Sequence, residues 1–428
     1  MTRRLGPRPL PLHLMTAAAV WMSSRLAWPS LKLGSPGLDL GAPTLDKVPQ
    51  GVLALNPGLA PPLARLLAEP AFQALQAEAA AVDPAALGQA VERALAARAS
   101  LFLDGLQRYR NAPYGRDMKD PPVLWQEGPA RLLDYAPNSA APPILFVPSL
   151  VNRAYILDLM AGQSLLRWLA EQGLRPLLLD WGTPGAEERR FTLTDYICGR
   201  LERALDALLA ATPGRKPILA GYCMGGMLAL ALAERRQAEL GGLVLMATPW
   251  DFHAGGHQAS AQQLGRTLVA FAPAMELLGE LPVDALQALF AALDPLMVLR
   301  KFQAFARMEE GSARATAFVA LEDWLNDGTG LAAPVAREAL GGWYGENTPP
   351  RGLWRVAGRA VDPALVKLPA LVLVPEGDRI VPPASALALA NALPNRQVER
   401  PPLGHIGMVV SGQAKEKVWQ VLRTWCAR

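Results

Sequence analysis

Short, continuously apolar runs alternate with longer stretches of helical period through most of the chain. Runs suited to buried strands lie at 144–147, 176–180, 217–220, 242–247 and 370–374. Helical stretches at 156–172, 194–211, 224–239 and 382–393 fall between or after them. Strands apolar on both faces, spaced by helices of that length, predict an α/β fold with a mostly parallel sheet covered on both sides. The alternation breaks once. Between Pro249 and Leu368 about 120 residues pass in a mainly helical pattern before the next strand. An insertion that long is expected to form a cap or lid over the strand ends. Ahead of the core, 57–110 is rich in alanine and leucine and reads as two or three helices. Loop signatures follow at 109–122 and 137–143. The expected organisation is a basic and helical region over 1–140, core over 141–251, insertion over 252–367 and core again over 368–428.

Composition narrows the class. With 428 residues, 51% hydrophobic and 19% charged, the chain can bury a core without a metal or disulfide staple. Three cysteines cannot build a disulfide framework and point to a reducing compartment. The net charge of +4 is unevenly placed: Arg3, Arg4, Arg8, Arg25 and Lys32 all precede the first acid, Asp39. The rest of the chain is therefore close to neutral and lacks the basic body that nucleic-acid binding requires. The head has the outline of a signal peptide, Arg3 and Arg4 before an apolar run over 12–22. His13 and Thr16 interrupt that run, and it falls short of the ~20 apolar residues that span a bilayer. The reading is a cytoplasmic amphipathic segment, with Leu14, Ala18 and Trp21 at helical spacing and Trp28 and Leu31 beyond.

The sharpest chemical signal is Pro217-Ile218-Leu219-Ala220-Gly221-Tyr222-Cys223-Met224-Gly225-Gly226. A buried strand, a Gly-x-Cys-x-Gly-Gly turn and a helix opening near Met224 form the nucleophile-elbow layout with cysteine in the serine position. Small residues on either side let the strand turn sharply, and the helix N-terminus favours negative charge on the sulfur. Read alone, such a cysteine could equally be buried packing. The chain offers four histidines as base, His13, His253, His257 and His405. Position selects His405, past the last strand and before the closing helix. Asp378, on the loop after the run at 370–374, is the expected acid, with Asp251 as its rival. The order Cys, Asp, His is that of an α/β-hydrolase. An oxyanion hole is expected from the backbone N–H of Met224 and, on the loop after the first core strand, of Val151, with Leu150 or Asn152 as alternatives. Cys198 and Cys426 are expected to be dispensable.

From about Ile144 to Trp425 the chain resembles the polyhydroxyalkanoate synthases, most of all the class III catalytic subunit. The resemblance rests on Leu150-Val151-Asn152-Arg153-Ala154-Tyr155, Leu179-Asp180-Trp181-Gly182-Thr183-Pro184 and Gly221-Tyr222-Cys223-Met224-Gly225-Gly226. It continues through Thr248-Pro249-Trp250-Asp251-Phe252, Glu322-Asp323-Trp324, Gly377-Asp378-Arg379-Ile380-Val381 and Gly404-His405-Ile406-Gly407-Met408. The resemblance implies polymerisation of 3-hydroxyacyl-CoA, short-chain 3-hydroxybutyryl-CoA foremost, through an acyl thioester on Cys223 with His405 and Asp378 as its partners. It implies no cofactor, coenzyme A entering as the substrate thioester. It further implies a growing polyester chain or granule as partner, self-association as a homodimer, an accessory subunit left open, and a place in the cytoplasm at the granule surface. Arg379 departs from the histidine relatives often carry there, and the first 140 residues are longer than in class III synthases. Two other classes share these residues: a cysteine hydrolase (esterase, thioesterase or depolymerase) that sends water to the same intermediate, and a non-catalytic granule-associated homologue.

Overall fold

The computed structural model describes residues 4–30 and 81–428, with isolated positions between 69 and 78; side chains in the first stretch are described up to Met22. Trp28 and Leu31, and most of the helices expected upstream of residue 81, lie outside the described residues. Two compact units result. One comprises 113–294 and 313–428; the other joins the described residues before 113 to 295–312.

The larger unit is built on an eight-stranded sheet: β1 (Val123–Glu127), β2 (Ala130–Asp134), β3 (Pro143–Val147), β4 (Arg175–Asp180), β5 (Ile218–Tyr222), β6 (Gly242–Met246), β7 (Ala370–Leu373) and β8 (Arg396–Glu399). Their spatial order is β1-β2-β4-β3-β5-β6-β7-β8. Pairing is parallel from β4 to β8 and antiparallel where β2 meets β1 and β4. The five apolar runs read from the sequence are β3 to β7, buried at nearly every position because helices cover both faces. The three strands without such runs are the edge hairpin and β8. In β8, Arg396-Gln397-Val398-Glu399 is only partly buried, as suits a sheet edge that polar side chains keep from pairing further. The hairpin turns at Gly128-Pro129 with Gly128 at φ 55°, the positive φ a two-residue hairpin loop needs. The sheet thus starts before residue 141.

The helix expected over 156–172 is shorter. A 3-10 turn (Ala154–Leu157) and a small antiparallel ladder, Asp158–Met160 with Gln163–Ser164, come first, and the helix is Leu165–Glu171. Asp158 is the reason. Its buried carboxylate accepts from Arg116, Arg167 and Tyr135, and Ser164 caps the helix through Arg167 N–H at 3.1 Å. A carboxylate so committed fixes its backbone, and the cap sets the helix start after it. The insertion is largely helical, as expected: Gln258–Ala270, Ala272–Leu278, Val283–Ala291, Met297–Ala306 and Ala313–Asn326, then a π-type helix Arg337–Gly345. Among its aromatics, Trp324 and Trp343 are buried in the larger unit, and Phe302 and Phe305 in the smaller.

In the smaller unit, helix Pro84–Asn111 packs on Met297–Ala306. Gly105 makes the approach possible, since a Cβ there would lie 2.2 Å from the Phe302 carbonyl oxygen. Phe302 meets Phe102 and Tyr109 edge-to-face at 6.3 and 5.8 Å, and Arg108 donates to the carbonyls of Phe305 and Ala306 at the far helix end. Helix Leu10–Ser30 turns His13 and Ala17 inward and leaves Leu12, Leu14, Met15 and Met22 exposed. Of the three residues at helical spacing, Leu14 is exposed, while Ala18 and Trp21 are half-buried and Trp21 meets Phe102 edge-to-face at 6.3 Å. No helix among the described residues is long and apolar enough to cross a membrane.

Candidate active site

The parallel strands bring three chain segments to one edge of the sheet. Cys223 follows β5, Asp378 follows β7 and His405 follows β8. In open α/β sheets this carboxyl edge is where ligands bind.

Cys223 occupies φ 56°, ψ −129°, directly before helix Met224–Arg235. A non-glycine residue holds such a conformation only where its surroundings over-determine it. They do so through the small residues the motif supplies. A Cβ on Gly221 would stand 2.3 Å from the Gly226 Cα, and one on Gly225 would stand 2.1 Å from the Val147 carbonyl oxygen. The helix start is thereby pressed against the end of β3, and the Cys223 N–H is held by the Met246 carbonyl at 2.9 Å. The sulfur, only partly buried, is left at the helix N-terminus.

His405 is buried, and its Nδ1 lies 2.6 Å from Asp378 Oδ2. An ionised carboxylate only accepts, so Nδ1 carries a proton toward Asp378 and Nε2 is the ring nitrogen left for the Cys223 sulfur. Asp378 is oriented through its other oxygen, which accepts from the Ile380 and Val381 N–H groups at 2.8 Å each. Burial by itself would lower the His405 pKa. The charge of Cys223, then hydrogen bonds with Asp378 and with the Cys223 sulfur, outweigh it and raise the ring to about 10. Tyr222 supports the same histidine: its hydroxyl donates to the His405 carbonyl at 3.0 Å, and the two rings lie 5.2 Å apart.

The remaining expected residues divide clearly. Asp251 is spoken for elsewhere, accepting from the His253 N–H and from Asn347 Nδ2 at 3.0 and 2.9 Å. His253 donates to the Tyr344 carbonyl, His257 is exposed, and His13 lies in the smaller unit against the Arg8 carbonyl. Burial raises the thiol pKa of Cys198 and pushes Cys426 up to about 12, so both remain poor nucleophiles. Met224 opens the helix as expected. The Val151 N–H, however, donates to Ser149 Oγ at 3.1 Å, so that amide is already committed. Arg379 is exposed and pairs with Asp294 at 3.2 Å. Tyr222 was not singled out from the sequence, although it adjoins the cysteine.

Against known proteins, a family described as alpha/beta hydrolase fold matches residues 142–411. The chain is 32% identical over 313 residues to "Poly(3-hydroxyalkanoate) polymerase subunit PhaC" of Synechocystis sp., covering 71% of this chain and 83% of that one. It is 30% identical to the protein of the same name from Allochromatium vinosum, covering 68% and 82%. Among solved structures, an esterase from Exiguobacterium antarcticum matches at 13% identity with a TM-score of 0.45, covering 72% of this chain and all of that one.

Proposed function

From a chain that belongs to the poly(3-hydroxyalkanoate) polymerase family, on an α/β-hydrolase fold, we propose a cysteine-based acyltransferase that polymerises 3-hydroxyacyl groups from coenzyme A thioesters. The observation that carries the mechanism is the Cys223–His405–Asp378 arrangement, with a 2.6 Å His–Asp contact beneath a thiol at a helix N-terminus. Cys223 attacks the thioester carbonyl, and His405 returns the thiol proton to the departing coenzyme A sulfur. One thioester replaces another, so the step is close to balance. The 3-hydroxyl of a second hydroxyacyl unit, or of the growing chain, then attacks the acyl-cysteine. His405 takes its proton, an ester forms and the Cys223 thiolate leaves. Asp378 holds the imidazole tautomer throughout. The Met224 N–H is the donor for the developing oxyanion, and Val151 could join it only by releasing Ser149.

The same reading takes a short acyl chain, 3-hydroxybutyryl-CoA, as substrate and places the protein in the cytoplasm at the polymer granule surface. The word "subunit" in the relatives' names supports an accessory partner, and self-association as a homodimer belongs with it. Purified protein incubated with 3-hydroxybutyryl-CoA should release free coenzyme A while polymer accumulates. Accumulation of free 3-hydroxybutyrate instead would make the protein a hydrolase. Cys223→Ala should lose both coenzyme A release and the acyl adduct seen by intact-mass spectrometry, whereas Cys198→Ala and Cys426→Ala keep them.

A further inference from the structure

Cys223 and His405 follow strands that are not neighbours. Strands β6 and β7 lie between β5 and β8, so the two strand ends stand three spacings, about 14 Å, apart. The segment that leaves β8 at Glu399 must turn back across the sheet end to bring His405 to the thiol. Asp378 follows β7, so its 2.6 Å bond orients the imidazole without tying it to the strand of the nucleophile.

Tyr222 supplies that tie. It is the last residue of β5, in register with Met246 of β6, and the Met246 carbonyl also holds the Cys223 N–H at 2.9 Å. Its backbone is therefore fixed together with that of the cysteine. Its side chain joins the buried cluster that contains Leu403 and Met408, which flank His405 in the chain. From there the hydroxyl donates to the His405 carbonyl at 3.0 Å, both groups buried. The short helix that follows, Gly407–Val410, leaves this carbonyl aside: the Met408 N–H goes to Gly404 and the Val409 N–H to Ile406, at 2.9 and 3.0 Å. Among the described residues, the donor to the His405 carbonyl is Tyr222. The tyrosine ring meanwhile covers the imidazole, with centroids 5.2 Å apart and planes inclined by 30°. One side chain thus grips both the main chain and the ring of the base.

We infer that Tyr222 is a positioning residue: its hydroxyl anchors the His405 main chain to the strand that carries the nucleophile, and so keeps the imidazole within reach of the Cys223 thiol. The inference rests on the cysteine mechanism proposed above, though not on the acyl group it transfers. Without the hydroxyl, a buried carbonyl loses its donor and the turn at His405 loses its link to β5. A base displaced by a fraction of an ångström serves its thiol less well.

The test is alkylation of Cys223 by iodoacetamide at one neutral pH, mapped by peptide mass spectrometry in the full chain. The reagent takes the thiolate, so its rate reads how well His405 serves the thiol with no acyl substrate present. Four proteins are compared: wild type, Tyr222→Phe, His405→Gln and the double variant. Tyr222→Phe keeps the ring and should slow the reaction about tenfold, the order of one hydrogen bond. In the His405→Gln background the same substitution should change the rate by less than about twofold, because no base is left to position. Equal slowing in both backgrounds, or none in either, overturns the inference. So does alkylation of the buried Cys426 in Tyr222→Phe, since the hydroxyl would then be holding the fold rather than the base. A wild-type Cys223 that reacts no faster than in His405→Gln overturns the cysteine–histidine pairing and this inference with it.

Discussion

Cys223 and His405 influence each other in a way that pH exposes. Burial disfavours the imidazolium, but the Cys223 charge and the bonds to Asp378 and the sulfur raise the His405 pKa from 6.5 to about 10. A basic group raised by folding adds stability that is complete below pH 6.5 and is lost as pH climbs through about 10. Cys223 supplies the leading raising effect, so Cys223→Ala has less of this stability to lose. The stability difference, wild type minus Cys223→Ala, should shrink from pH 6.5 toward pH 10 in denaturant unfolding; a difference that grows would contradict the coupling. At the same scale, the choice between two acids becomes a matter of contacts. Asp378→Asn should cost activity heavily, on the order of 10²–10⁴-fold if the base depends on it. Asp251→Asn disturbs the Asn347 and His253 contacts and should act on stability and on the insertion instead. Steady-state kinetics beside thermal unfolding separates the two.

Elements are placed by close approaches that only small residues permit. The turn from β5 into helix Met224–Arg235 works because backbone meets backbone at Gly225. Neither partner there is a flexible side chain, so Gly225→Ala should cost at least about 1–3 kcal/mol and lower the thermal midpoint by several degrees. Gly341→Ala is the matched control. Its Cβ would meet nothing within 4 Å, and alanine is the better helix former, so the midpoint should hold or rise. The element read wrongly from the sequence, the long helix over 156–172, shows the converse. Its apolar periodicity was genuine, but the cluster of Arg116, Arg167 and Tyr135 on Asp158 involves residues far apart in the chain, and no local pattern encodes that cluster.

For the molecule as a whole, the surprise is how early the catalytic core begins. Strand β2 lies between β1 and β4, and Asp134 at its end meets Arg175 at the start of β4 at 2.8 Å, both side chains buried. Removing one member of a buried pair leaves the other charge uncompensated, at about 3–5 kcal/mol. Asp134→Ala should therefore lower stability markedly, while Asp120→Ala, an exposed carboxylate 3.9 Å from Arg131, should change it by less than about 1 kcal/mol. Equal effects in urea unfolding would mean that the hairpin is an appendage rather than part of the core.

The sequence by itself determined the five central strands, the turn at Cys223 and the order of cysteine, aspartate and histidine along the chain. These are local properties: unbroken apolar runs, glycines flanking one residue, and positions relative to strand ends. It did not determine the edge strands, because a strand with one solvated side carries no such run and becomes a strand only by pairing. Nor did it decide between Asp378 and Asp251 as the partner of His405. That outcome depends on which of several competent groups the folded chain brings within hydrogen-bonding distance. For Asp378 and His405, 27 residues apart, and for Asp251 and Asn347, 96 apart, that distance is set by packing between separate segments, and tertiary structure alone decides it.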